Sequence, residues 1–218
     1  MKIRVRVWDL PTRLFHGLLA VCFAGLVVTG KLGGDWMRWH FQLGQAMLCL
    51  LLFRLVWGCI GGHWSRFANF WPNPMATWRY IRKPSQQPGH NPLGAWSVWA
   101  MLVLLLMQAL SGLISDDEIA AAGPLSHLAP AAWVSRASTW HISWGLNTLF
   151  ALVLLHVCAI AYHQFGQHAL IAAMLHGDQV HNSPQPDSID TPMTRLKAAL
   201  LLAVCAASVW WLIATYAV

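Results

Sequence analysis

The sequence predicts an all-α, polytopic membrane protein with five transmembrane helices, the fifth C-terminal. Three observations carry this reading. Of 218 residues, 57% are hydrophobic and 10% are charged. A soluble globular domain carries about 25% charged residues, so the chain lacks the polar surface to coat a globule in water. The apolar residues gather into five runs, each near the roughly 20 residues that cross a bilayer core as a helix. A backbone exposed to lipid must also satisfy its own hydrogen bonds, which makes helices the natural form of such runs.

The first run extends from about Arg13 to Gly30. It follows a basic stretch, MKIRVRVWDLPTRLFHG, and shows no clear small-residue cleavage site, so it is read as a retained helix rather than a signal peptide. A short turn, KLGGDWMR, leads to the second run, from about Trp39 to Ile60. The connection that follows, from Gly61 to Pro92, is rich in Trp, Arg and Pro and is expected along the membrane interface, where Trp is favoured. The third run spans about Leu93 to Ser115, the fourth Trp140 to Tyr162 and the fifth Leu196 to Ala217. Before the fifth, HNSPQPDSIDTP has the composition of a flexible linker. The expected organisation is a core over residues 1–178, a polar linker over 179–195 and a terminal helix over 196–218.

The formal net charge is +6. The basic residues sit beside apolar runs rather than on one amphipathic stripe, which points to membrane topology and away from nucleic acid. Lys2, Arg4, Arg6, Arg13, Arg66, Arg79, Arg82, Lys83, Arg195 and Lys197 fall on one side of the predicted spans. Lys31, Arg38 and Arg136 fall on the other, with Asp116, Asp117 and Glu118. The richer side is expected to be cytoplasmic, with the N-terminus inside and the C-terminus in the periplasm. Cys22, Cys49, Cys59, Cys158 and Cys205 all lie in apolar runs and form no C-x-x-C-H, which excludes covalent c-type haem. They read as small buried hydrophobes.

Ionisable residues inside a membrane are costly and mark function. Four histidines stand in or at the ends of the runs: His16, His40, His141 and His156. One alone would be explained by a hydrogen bond to a neighbour. Their depths, however, match. His16 lies near the cytoplasmic start of the first run, and His40 near the periplasmic start of the second. His141 begins the fourth run from the periplasmic side. His156 is 15 residues further on, about 22 Å deeper and on broadly the same face. The four sort into two pairs at two depths, His40 with His141 and His16 with His156. Neutral imidazole is a good axial ligand for haem iron, and two imidazoles saturate it, which favours electron transfer over chemistry at the metal.

Arg54 lies 14 residues after His40, on nearly the same face and about 21 Å deeper. It is expected to meet a haem propionate or a quinone oxygen at the inner level. Arg13 reads as a topology anchor, and Lys31 and Arg38 stand where propionates of an outer haem would lie. Gly17, Gly25, Gly44, Gly94, Gly112 and Gly145 leave room for a macrocycle or for close helix packing. His63, His90 and His127 in loops, and His163, His168, His176 and His181 beyond the fourth run, are weaker candidates. No H-E-x-x-H, C-x-x-C or Gly-rich nucleotide loop occurs, so a flavin or nicotinamide domain would belong to a partner.

The stretches VWDLPTRLFHGLL, WHFQLGQAMLCLLLFRLVWG, RFANF, GHNPLGA, LLMQALSGLISDDE, GPLSHL and WHISWGLNTLFALVLLHVCAIAYH resemble the bacterial cytochrome b561 group, which includes b-type cytochrome subunits of nickel–iron hydrogenases. The resemblance covers roughly residues 5 to 178. It implies a four-helix haem-binding bundle with two haems b per chain, ligated by His16, His40, His141 and His156. It also implies electron transfer between the quinone pool and a partner protein, a hydrogenase or a c-type cytochrome. The fifth helix lies beyond the shared core. Membrane lipid surrounds such a bundle, and a homodimer is left open.

Three competing functions are weighed against this. A transporter with a histidine proton relay would show internal repeats or helices broken mid-membrane. The sequence has no repeat, and the five apolar runs have no proline in their interiors. A non-redox anchor would have no use for paired histidines. A stand-alone oxidoreductase acting on superoxide or a metal stays within the same haem class.

Overall fold

The computed structural model of the chain describes residues 2–84, 87–119, 121–165 and 170–216. His168 and Ala217, noted above, lie outside the described residues. The elements are strand β1 (Ile3–Arg6), helices α1 (Leu10–Leu32), α2 (Met37–Ile60), α3 (Pro74–Arg82), α4 (Pro92–Ile114) and α5 (Ala131–Thr139), a π-helical turn (Trp140–Trp144), helices α6 (Gly145–Phe165) and α7 (Leu170–His176), strand β2 (Asp178–His181) and helix α8 (Pro192–Tyr216). Each expected run is a helix. Among the described residues, five helices are long and apolar enough to cross a membrane, with mean hydropathy from 1.7 to 2.1. Half of the most apolar stretch of α2 is buried, against 11–17% for the other four, so α2 is the most enclosed. The others present large apolar side chains outward, among them Val21, Leu154 and Trp210. Such exposure suits lipid rather than water.

The chain divides into two compact units. The first comprises Met1–Phe15, Arg54–Met101 and Leu152–Ala199. Its centre is a buried polar cluster around Asp9, which is fully enclosed. Asp9 caps α1 by accepting from the Thr12 backbone at 2.8 Å, as expected for an aspartate just before a helix with proline in its first turn. The same carboxylate accepts from Gly62 N at 3.0 Å, Ser65 Oγ at 3.1 Å and Trp57 Nε1 at 3.4 Å. Thr12 and Ser65 hydroxyls share a 2.7 Å bond. One side chain thereby joins the start of α1 to the end of α2 and the turn beyond it.

The first unit also contains two features that the sequence did not announce. β1 and β2 form an antiparallel ribbon, with Ile3 opposite His181 and Arg6 opposite Asp178. Val5, Val7, Trp8 and Ala173 make a small apolar core beside it, covered by Ile3, Trp64 and Met174. The segment read as a flexible linker is tied down along the other side of β1. Ser188 N donates to Arg6 O at 2.7 Å and its hydroxyl to Val7 O at 2.7 Å. Arg6 N donates to Asp187 at 2.6 Å, and Trp64 Nε1 to Pro186 O at 2.8 Å. Asp190 completes the strap by pairing with Arg195 at 2.9 Å and Arg6 at 3.3 Å, and Arg6 also meets Asp178 at 2.6 Å. In the Trp-rich connection, Asn73 caps α3 by accepting from Met75 and Ala76. This short helix exposes Met75, Trp78 and Ile81, with Arg82 stacked 3.7 Å over Trp78.

The second unit comprises His16–Phe53, Leu102–Ala151 and Leu200–Val218. Here the loop after α4 folds back to supply donors to the open end of that helix. Gly123 N reaches Ser115 O at 2.6 Å and Leu125 N reaches Leu113 O at 2.8 Å, satisfying carbonyls that a helix end leaves unpaired. The expectation of buried cysteines holds for Cys22, Cys49 and Cys205 but not for Cys59 and Cys158. Those two fall on outward helix faces, where an apolar run gives no burial because lipid replaces the core.

Replacing Asp9 by Ala strands the Gly62 and Thr12 amides, each worth about 1–3 kcal/mol when buried without a partner. The variant is expected to melt well below the parent in detergent, by circular dichroism; an unchanged melting temperature would contradict the cluster's role. Burial alone would raise the Asp190 carboxyl. The bonds from Arg195 and the Leu10 backbone and the charges of Arg195 and Arg6 outweigh it and hold the group below the usual value. Its contribution is therefore full above the unfolded value of about 3.9 and is lost as pH falls through the lower folded value. Hydrogen exchange over residues 186–190 should show protection at pH 7 that disappears in acid and is absent at both pH values in Asp190→Asn.

Candidate functional site

The four histidines are all half-buried on spanning helices. His16 stands on α1 in the second unit and His156 on α6 in the first. His40, on the first turn of α2, and His141, in the π-helical turn before α6, share the second unit. Their ring centres are 6.1 Å apart and their planes nearly perpendicular, at 88°.

Each of these two rings is anchored by the nitrogen nearer its own backbone. His40 Nδ1 lies 3.0 Å from Leu26 O and 3.2 Å from Thr29 Oγ1. His141 Nδ1 lies 2.9 Å from Gln108 O and 3.4 Å from Ser111 Oγ. A carbonyl oxygen only accepts, so Nδ1 carries the proton in both rings. In the neutral tautomer Nε2 then holds its lone pair, ready for a metal. Hydrogen bonds of this kind fix ring orientation and raise ligand basicity.

The close approach of both rings to neighbouring helices depends on two glycines. A Cβ on Gly112 would stand 2.7 Å from His141 Cε1, and one on Gly30 would stand 3.0 Å from His40 Cε1. The sequence singled out Gly112 for room around a macrocycle or for close helix packing, and here it makes room for the imidazole of His141. Thr29, Gln108 and Ser111 were not read from the sequence at all. A polar residue within one turn of a helix glycine is a signal only once the helices are paired.

A metal–imidazole bond is about 2.0–2.1 Å long. Two imidazoles on opposite sides of one metal ion place their ring centres about 6 Å apart, the separation of His40 and His141. Among the described residues no group of three or more His, Cys, Asp or Glu could hold a metal ion. A two-imidazole site needs its other ligands from a planar macrocycle, which is what haem supplies.

Arg54 is 3% exposed. Its guanidinium donates to Ser65 O at 2.8 Å and lies over the rings of Phe67 and Phe70, at 4.7 Å and 5.9 Å. It therefore belongs to the cluster built on Asp9. Arg13, read as a topology anchor, donates to Leu175 O at 2.6 Å.

Comparison with known proteins agrees with this chemistry. Residues 7–177 match the family model described as Prokaryotic cytochrome b561. A probable Ni/Fe-hydrogenase B-type cytochrome subunit of Rhizobium leguminosarum bv. viciae is 24% identical over 215 residues, covering 81% of this chain and 89% of the relative. A probable Ni/Fe-hydrogenase 1 B-type cytochrome subunit of Escherichia coli K12 is 24% identical, covering 80% and 90%. The corresponding probable subunit of Cupriavidus necator is 24% identical, covering 78% and 85%. No solved structure matches the chain significantly. Haem b is the cofactor of b-type cytochromes, and the donor set of His40 and His141 fits it. With five spanning helices and a match over residues 7–177, the chain belongs to the prokaryotic cytochrome b561 family of membrane electron-transfer proteins.

Proposed function

We propose that the chain carries electrons across the membrane through two haems b, between the quinone pool and a redox partner protein. The observation that supports this best is the 6.1 Å separation of His40 and His141, each with Nδ1 bonded to a helix carbonyl. In this reading His40 and His141 hold the outer haem, and His16 and His156 hold the inner one. Haem supplies a one-electron couple between ferric and ferrous iron. The protein's part is to keep both Nε2 lone pairs available, to leave no open coordination position, and to keep water from the metal behind apolar helix faces.

Arg54 is assigned to the inner level, where its guanidinium would serve a propionate or quinone oxygen approaching beside Ser65. The Lys and Arg distribution supports a cytoplasmic N-terminus and a periplasmic C-terminus in the bacterial inner membrane. The relatives' names support a hydrogenase as the partner. A periplasmic c-type cytochrome would receive electrons by the same outer haem. The core over residues 1–178, the linker over 179–195 and the helix from 196 to 218 are proposed as its working parts, with α8 accessory to the haem-binding helices.

The purified chain should show the reduced absorption bands of b-type haem and bind two haems per chain; protein that stays colourless when made with ample haem would end the proposal. His16→Ala is expected to remove one haem and leave the other. Loss of one haem from His141→Ala, with the other kept, would complete the pairing, whereas full haem content in both variants would refute it. Gly112→Ala, which crowds His141, should lower outer-haem content at least severalfold without affecting the inner haem. Quinol oxidation assayed with hydrogenase or with cytochrome c then identifies the partner.

A further inference from the structure

The π-helical turn at Trp140–Trp144 explains a feature of the outer site that the family assignment leaves open. The Gly145 amide, which would reach His141 O in an α-helix, donates instead to Trp140 O. The turn therefore releases the His141 carbonyl from its ordinary partner, and a carbonyl at this depth has no water to turn to. Gln108 on α4 takes it: Nε2 donates to His141 O at 2.6 Å. The backbone carbonyl of the same residue accepts from His141 Nδ1 at 2.9 Å. Gln108 thus grips His141 at two points, one on the main chain and one on the ring.

The amide orientation is fixed by this contact, because the reverse orientation would set Oε1 against another carbonyl oxygen. Gln108 Oε1 is left buried with no hydrogen-bond partner among the described residues. An unpaired buried acceptor is destabilising, so the geometry favours the His141 contact over satisfying the side chain fully. π-turns of this kind are frequent at functional sites.

We propose that Gln108 is a positioning residue: by holding the carbonyl freed by the π-turn, its side chain fixes the rotation of the His141 ring, and with it the perpendicular arrangement of the two imidazoles. This rests on His40 and His141 being the outer haem ligands. Ring rotation matters because an Nδ1–H bond to a carbonyl raises ligand basicity and so favours the ferric state. Without the side-chain grip the ring turns and that bond lengthens.

The test uses the full chain purified with its haem. Two near-perpendicular axial imidazoles give a strongly anisotropic low-spin ferric resonance by electron paramagnetic resonance. Gln108→Leu should retain both haems, shift one resonance to lower anisotropy, and favour the ferrous state of that haem about tenfold, which is about 59 mV upward for a one-electron couple. Gln108→Glu, whose neutral carboxyl still donates at this depth, should restore the parent resonance and potential. An unchanged resonance and potential in Gln108→Leu overturns the proposal. If Gln108→Leu is isolated lacking a haem, rescue by Gln108→Glu supports it and failure of that rescue overturns it. His141→Ala separates the two ideas: one haem lost keeps the ligand reading whatever Gln108 does, and both haems kept with an unchanged resonance removes the ligand reading and this proposal together.

Discussion

An imidazole can be held inside a bilayer only if its N–H finds an acceptor, and the acceptors on offer there are mostly helix carbonyls already engaged once. The His40–His141 pair rests on the second lone pair of two such carbonyls, on Leu26 and Gln108. Each bond settles the tautomer of its ring and aims the opposite nitrogen away from the helix that supplies the acceptor. The glycines beside the rings follow from the same constraint, since a ring must come close to a neighbouring backbone before its N–H can reach a carbonyl. Helix spacing, tautomer and metal-binding capacity are therefore one arrangement viewed at three scales.

The second unit's polar economy is matched in the first by a denser arrangement. Asp9 collects four donors in a fully enclosed position, and Arg54 stands close by on the opposite side of Ser65. A buried carboxylate is tolerated when its acceptor sites are filled, and a buried guanidinium when aromatic faces and carbonyls surround it. The two groups meet the same residue, one at its hydroxyl and one at its carbonyl. This makes Ser65, small and unremarkable in the sequence, the link between two charges far apart along the chain.

The five spanning helices were legible because a long apolar run has one stable form in lipid, and their observed ends lie within a few residues of those expected, except that the fourth span begins nine residues early, at Ala131. The approach of His40 to His141 was legible as matching depth at the starts of two helices expected to run in the same direction. What was not legible were the contacts that depend on two segments meeting. Gln108 sits in LLLMQALSG with no local sign that it faces His141. Nor does IRVR announce a strand whose partner lies some 170 residues away, since four residues carry too little periodicity to stand out. The PQPDSID stretch has the composition of a loose linker, and it is ordered by bonds to backbone groups of Arg6 and Val7 that no composition encodes. The cysteines failed for a different reason: in a membrane protein, apolar neighbours do not imply burial.

The ribbon of β1 with β2 sets an order of events during synthesis. Residues 3–6 leave the ribosome well before their partners at 178–181, which follow only after about 170 further residues. At about 5–20 residues per second, the first strand waits roughly 9–35 s with its edge unpaired while four spanning helices are made and inserted. The strap from Pro186 to Asp190 arrives later still and covers the remaining side of the strand. Closure of the ribbon and strap is thus the last local step before α8 is threaded, and a chain interrupted before that point would retain His16, His40, His141 and His156 but lack the clasp that joins β1 to the segment before α8.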